Sequence, residues 1–180
     1  MHRRTQPLAA AAVLAATALP APAASAAPSL ATYVLARAGA LTITAPAAVS
    51  LGNGPPGGQR SALMGTVRVT DTREPGAGAW TATVSSTDYT RTTAPVVTIG
   101  RANMSYWSGP ATATQGGGTF IPAQPTAASR VTLAVPRTAF SHTAVAGVNN
   151  ASWNPTLVLS IPFATATAGT YTGVITHSVA

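Results

Sequence analysis

The chain contains no cysteine and no lysine, and among its 180 residues only three are acidic: Asp71, Glu74 and Asp88. Without cysteine there is no disulfide framework and no thiolate metal site. Zinc needs three or four clustered ligands, and the two histidines beyond the N-terminal stretch, His142 and His177, are far apart in the chain. A glycosidase needs two carboxylates about 5 to 10 Å apart across a sugar; Asp71 and Glu74 sit at the two ends of one tight segment. No acidic calcium loop is present, nor any G-x-S-x-G elbow for a nucleophilic serine. The expectation is a non-enzymatic protein with no catalytic residue, no metal and no cofactor.

The ten basic residues are all arginine, and no cluster marks a nucleic-acid face. The beginning of the chain, "MHRRTQPLAAAAVLAATALPAPAASA", has a basic start, a short apolar stretch and Ala24-Ser25-Ala26. This is the build of a secretory signal over residues 1–26. Its apolar stretch falls short of the roughly 20 residues that span a bilayer, and no later one is long enough. Removing the signal takes Arg3 and Arg4 with it, leaving eight arginines against three acids, or +5. A secreted chain over residues 27–180, one domain without a membrane span, is expected. Its scattered positive charge suits solubility and a mild attraction to anionic wall polymers.

What the sequence has in abundance is alternation. Val67 and Val69 face away from Arg68 and Thr70; Trp80, Ala82 and Val84 face away from Thr81, Thr83 and Ser85. "RVTLAV" aligns Val131, Leu133 and Val135, and "WNPTLVLSIPF" keeps Trp153, Leu157, Leu159, Ile161 and Phe163 in one phase. "YTGVITHSVA" does the same for Tyr171, Ile175, His177 and Val179. Period two marks antiparallel strands with one packed and one wet face. Gly- and Pro-rich stretches such as "GNGPPGGQ", "SGP" and "QGGG" separate them as turns. No segment has a helical period, although residues 30–40 read as either a strand or a short helix. The expected fold is an all-β, antiparallel, Ig-like β-sandwich of roughly eight to ten strands. Pro162 is expected at an edge or a bulge.

In "TDTREPGAGAWTATVS", Asp71 and Arg73 are expected to shape a turn near the surface, where such a pair contributes about 0 to 1 kcal/mol. Trp80 and Trp153 carry core phases. Trp107 differs: in "NMSYWSGP" it stands out of phase with Met104 and Tyr106 and abuts a turn. It is either a stacking platform or an interface anchor, with Tyr106 beside it, or a tryptophan covered by a neighbouring loop. His177 points inward by phase.

Those residues carry a resemblance. "VTDTREPGAGAWTATVS" resembles the first motif of the WxL cell-wall-binding domains, in which an Asp-x-Arg turn and a Gly-rich loop precede a Trp-x-Leu strand. The motif maps to Asp71, Arg73 and Trp80, with Ala82 in place of the leucine. "AGTYTGVITHSVA" is similar to the closing strand of that family, with His177 and Val179 at the second Trp-x-Leu. The resemblance implies an exported, all-β surface protein of a Gram-positive bacterium, held non-covalently to peptidoglycan, often beside partner surface proteins. The alternative expectation is a structural or adhesin subunit that binds other surface proteins through strand edges.

Overall fold

The computed structural model describes residues 39–73, 78–143, 147–164 and 166–180. The expected signal, residues 27–38 and Glu74 lie outside these. Strands account for 47% of the described residues and helix for 4%, and the strands form four antiparallel sheets. In chain order they are β1 (Leu41–Thr44), β2 (Gln59–Leu63), β3 (Val67–Asp71), β4 (Trp80–Ser86), β5 (Tyr89–Arg91), β6 (Thr98–Ile99), β7 (Met104–Trp107) and β8 (Ala111–Gln115). There follow β9 (Phe120–Pro122), β10 (Val131–Thr132), β11 (Arg137–His142), β12 (Asn149–Trp153), β13 (Thr156–Ser160), β14 (Tyr171–Thr172) and β15 (Ile175–Val179).

Sheet one runs β1-β3-β12-β8, sheet two β10-β7-β13-β2, sheet three β15-β4-β11-β9 and sheet four β14-β5-β6. The lateral orders correspond. β3-β12-β8 in sheet one are the continuations of β2-β13-β7 in sheet two, and β15-β4 in sheet three continue β14-β5 in sheet four. Sheets one and two are therefore two halves of one layer, and sheets three and four two halves of the other. β1 approaches β15 and β8 approaches β9, so the layers meet along both edges of sheets one and three.

Five chain passes are interrupted, three of them at a proline or a positive-φ glycine. Gly65 (φ 96°) separates β2 from β3, and Gly109 (φ 71°), followed by Pro110, separates β7 from β8. Asn154-Pro155 breaks β12 from β13, Thr87-Asp88 breaks β4 from β5, and Gly173-Val174 breaks β14 from β15. Proline lacks the ladder N–H, and positive φ is a glycine conformation. Fifteen segments less five interruptions leave ten passes, which agrees with the strand number expected from alternation.

The core lies between the layers. Val67 and Val69 from β3, Trp80, Ala82 and Val84 from β4, Met104 and Tyr106 from β7, Phe140 from β11 and Trp153 from β12 are all buried in one cluster. Phe140 stacks on Trp153 across the layers, with ring centroids 4.8 Å apart at 22°. Such a pair adds about 0.5–1.5 kcal/mol beyond its area burial.

The sequence reading needs correction in three places. "RVTLAV" is not a continuous strand. β10 covers only Val131 and Thr132, because β7 offers only Tyr106 and Ser105 as partners, and Val135 is 51% exposed. Phe163 shares a phase with Leu159 but is 82% exposed, since β13 ends at Ser160 and Pro162 follows in an unpaired segment. β13 is buried along both faces rather than one: it runs between β7 and β2, and Val158, out of phase with Leu157 and Leu159, is buried with them.

Candidate functional site

The β3–β4 turn is built from the inward phase of β3. The alternation that buries Val67 and Val69 also buries Asp71, whose side chain has no exposed surface. A buried carboxylate needs donors, and the turn supplies them. The Arg73 amide and Nε donate to Asp71 Oδ1 at 3.0 and 2.9 Å, and Arg73 Nη2 donates to Oδ2 at 2.8 Å. Asn149 Nδ2, on β12, donates to Oδ2 at 3.4 Å. Arg73 Nη2 also reaches Ala79 O at 2.8 Å, which ties the far side of the turn to its start. The Arg73 hydrogen bonds hold the Asp71 carboxyl below the usual carboxylate range, although burial opposes them. The expected surface pair is thus a half-buried one: the Arg73 side chain is 27% exposed and that of Asp71 0%.

Trp80 extends the network. Its Nε1 donates to Asn149 Oδ1 at 2.7 Å, so Asn149 joins the tryptophan to the carboxylate. The Trp80 ring stacks on His142, 5.7 Å away at 26°. Both ring nitrogens of His142 face carbonyl oxygens: Nδ1 that of Gly78, and Nε2 that of Gly117 at 2.8 Å. A neutral imidazole has one N–H and satisfies one of these carbonyls; an imidazolium satisfies both. Gly118 (φ 87°) packs so closely on this ring that a side chain there would collide with it. Asn149 and His142 went unnoticed as turn partners in the sequence. The only signal for Asn149 was its phase, shared with Ala151 and Trp153.

The second motif comes up beside the first. β15 pairs with β4, setting Val179 opposite Ala82 and His177 opposite Val84. His177 Nε2 lies 3.3 Å from the Tyr106 hydroxyl, which accepts a 3.1 Å hydrogen bond from Trp153 Nε1. His177 Nδ1 is buried without a partner. Burial pushes the His177 imidazole down to about 4 and raises the Tyr106 phenol. Tyr106 therefore belongs to the core and cannot share an exposed aromatic surface with Trp107. Trp107 projects from the opposite face of β7, half-buried, beside the β7–β8 kink.

The outer face of sheet three is of another kind. Thr81, Thr83 and Ser85 of β4 project outward, flanked by Thr176 and Ser178 of β15. Ser85 is paired with Thr176, and Thr83 with Ser178, their hydroxyls 2.8 Å apart. Thr138 and Ser141 of β11 continue the rows on the other side of β4. Together these residues make a face of hydroxyl groups without a charge, bordered by the exposed Ile121 of β9, which pairs with Ser141.

Among the described residues, no group of three or more His, Cys, Asp or Glu is placed to hold a metal ion. No helix there is long and apolar enough to cross a membrane. No protein-family model, no curated protein and no solved structure matches the chain. The likeness to WxL domains rests on its own residues.

Proposed function

We propose that this chain is an exported, non-enzymatic surface protein of a Gram-positive bacterium that associates non-covalently with peptidoglycan through the outer face of sheet three. The observation that carries the reading is the hydroxyl face itself. Thr81, Thr83, Ser85, Thr176 and Ser178 offer donors and acceptors in rows two residues apart, roughly 7 Å along the strands. A glycan presents hydroxyls and amides along a chain, and an uncharged face can meet it without desolvating an ion. The WxL resemblance supports the same reading in part: its first motif begins on β3 with Asp71 and ends on β4 with Trp80 and Ala82, its second lies on β15, and β4 and β15 carry the hydroxyl rows on the face opposite those motif residues. The excess of arginine favours approach to anionic envelopes.

The test is retention of the purified protein on peptidoglycan sacculi at low salt. The double variant Thr83→Arg, Ser178→Glu places charges on the face and is expected to lower retention at least tenfold while the melting transition stays cooperative. Absence of retention by the unaltered protein ends the wall-binding reading.

A second reading is supported by β8. This edge strand of sheet one has no charged residue and is exposed from Thr112 to Gln115. β9 approaches β8 without pairing with it, and an edge strand without a hydrogen-bonded neighbour pairs with other chains. A stable hetero-complex recovered by crosslinking on the native surface, without retention on sacculi, favours an adhesin or structural subunit.

A further inference from the structure

The hydroxyl rows of sheet three end at a break in their layer. β11 pairs with β4 as far as Arg137 opposite Val84, and β6 takes up the same position in the layer only at Ile99 opposite Tyr89. On its other side β4 keeps its partner. β15 sets Thr176 opposite Ser85 and Ile175 opposite Ser86, and the Thr87 amide donates to Val174 O at 2.9 Å. Beside Ser85, Ser86 and Thr87, between the ends of β11 and β6, the layer holds no strand. It holds a recess of about 300 Å³.

The residues that lead from β10 to β11, Leu133 to Pro136, form one wall of the recess. Ser85 and Thr176, a facing pair of the hydroxyl rows, form another. Arg101, at the start of the 3-10 turn Arg101–Asn103, completes the lining and is the only charged residue in it. Asp88 Oδ1 accepts from the Arg101 amide at 2.8 Å, which holds that turn in place. The guanidinium is not held in this way. Arg73, Arg91 and Arg137 spend theirs on Asp71, Pro95 O and Thr132 O. Among the described residues the Arg101 side chain has no ion pair and no hydrogen bond, and Asp71 is taken by Arg73. The Ser86 and Thr87 hydroxyls are committed to Thr87 O and Asp88 O. Ser85, Thr176 and Arg101 are left as donors to a ligand. A carboxylate or phosphate takes charge-assisted hydrogen bonds from a guanidinium and ordinary ones from hydroxyls.

We propose that the glycan on the hydroxyl rows is an acidic one, and that a carboxylate or phosphate carried on one of its sugars sits in this recess against Arg101, Ser85 and Thr176. The inference rests on the proposed function and narrows it: a neutral polysaccharide would satisfy the rows and leave Arg101 without a counter-ion. Peptidoglycan offers both groups, a carboxylate on its lactyl ethers and peptides, and a phosphodiester where an anionic wall polymer is joined to it.

The test is retention of the purified protein on three insoluble glycans. These are intact sacculi, sacculi freed of phosphodiester-linked polymers by hydrofluoric acid, and chitin, whose N-acetylglucosamine chain has no acidic group. Retention on intact sacculi is expected to exceed that on chitin about fivefold at low salt. The difference should vanish as ionic strength rises toward about 1 M. Arg101→Gln should bring retention on sacculi down to the level of chitin and leave chitin unchanged. Arg68→Gln, which removes an equal charge from the outer face of sheet one, should change neither. A preference lost with the acid treatment supports the proposal with phosphate as the bound group; one that survives the treatment supports it with carboxylate. The proposal is overturned if Arg101→Gln is retained on sacculi like the unaltered protein, or if sacculi and chitin retain the unaltered protein equally. Equal retention that Thr83→Arg, Ser178→Glu still lowers would leave wall binding standing without its acidic site, whereas no retention on any of the three would end both.

Discussion

Lowering the pH from 7 to 4.5 is expected to destabilise the protein through His177. Tyr106 has one O–H. Its oxygen accepts from Trp153 Nε1, so its proton is available for His177 Nε2, 3.3 Å away. Nε2 is then the acceptor, and the neutral ring carries its own proton on Nδ1. Protonating Nε2 would set two donors against each other in a place where burial already disfavours charge. The imidazole accordingly stands at about 4, against 6.5 for an unperturbed histidine. Because the folded value is the lower one, the stabilisation is complete above pH 6.5 and is lost as pH falls toward 4. The difference of 6.5 − 4, at 1.36 kcal/mol per unit, sets a ceiling of roughly 3 kcal/mol. The ring is half-buried rather than sealed, so about 2 kcal/mol is expected by pH 4.5. Urea unfolding of the native chain and of His177→Gln, at half-unit steps from pH 7 to 4.5, reads this directly. The two stabilities should converge by that amount over the range, with titration of Asp71 falling below it. Parallel curves, or an NMR titration of the His177 ring with a midpoint near 6.5, would refute the reasoning.

Arg73→Ala strands the buried Asp71 carboxylate and should cost about 2–4 kcal/mol by chemical denaturation at pH 7. The stabilisation that Asp71 gains from Arg73 is present above the ordinary carboxylate pKa and lost as pH falls through the lowered folded value. The penalty of Arg73→Ala should therefore shrink in acid, which a urea series from pH 5 to 2.5 checks. Trp80→Phe keeps most of the apolar volume but leaves Asn149 Oδ1 without its donor, and should cost about 1–3 kcal/mol in the same assay. Phe163→Ser, at a side chain 82% exposed, should change stability by no more than about 0.5 kcal/mol. Trp107→Ala should leave the melting transition cooperative; if it lowers retention on sacculi as strongly as charges on the hydroxyl face, the contact surface lies on β7 instead.

Alternation was a good guide wherever a strand had partners along its whole length. β3 and β4 bury Val67, Val69, Trp80, Ala82 and Val84, as period two requires, because each runs between two neighbours. It misled at Val135 and Phe163, where the pattern continues but the hydrogen-bonded neighbour has ended. The phase of a residue is local information; the length of its ladder depends on a strand elsewhere in the chain. Asn154-Pro155 was read through inside "WNPTLVLSIPF", and of the interruptions only Gly109-Pro110 was legible. Their effect, which divides each layer into two sheets, was not. The candidate site divides in the same way. Asp71, Arg73 and Trp80 announce themselves within ten positions, whereas Asn149 and His142 reach them only through the pairing of β12 with β3 and of β11 with β4. The recess beside Arg101 has no sequence signal at all, since it comes from the ends of two strands, β11 and β6, that are distant in the chain.

The question of whether Asp71 is a reagent or a fixture turns on its lone pairs. A carboxylate has about four acceptor sites. The Arg73 amide and Nε take two on Oδ1, and Arg73 Nη2 and Asn149 Nδ2 take two on Oδ2. A general base must have a site within reach of the proton it removes; this one has none left and no exposed surface through which a substrate could come. Its pKa, held down chiefly by the Arg73 hydrogen bonds, also makes it a weaker base than a free aspartate. Three of these bonds fix Arg73, and Arg73 Nη2 holds Ala79 O, one residue before Trp80 enters sheet three. The carboxylate thus sets where β4 begins and which face Trp80 presents, and with it the phase of Thr81, Thr83 and Ser85 on the opposite face. A residue with the makings of a catalytic acid here governs the register of the hydroxyl rows outside the sandwich.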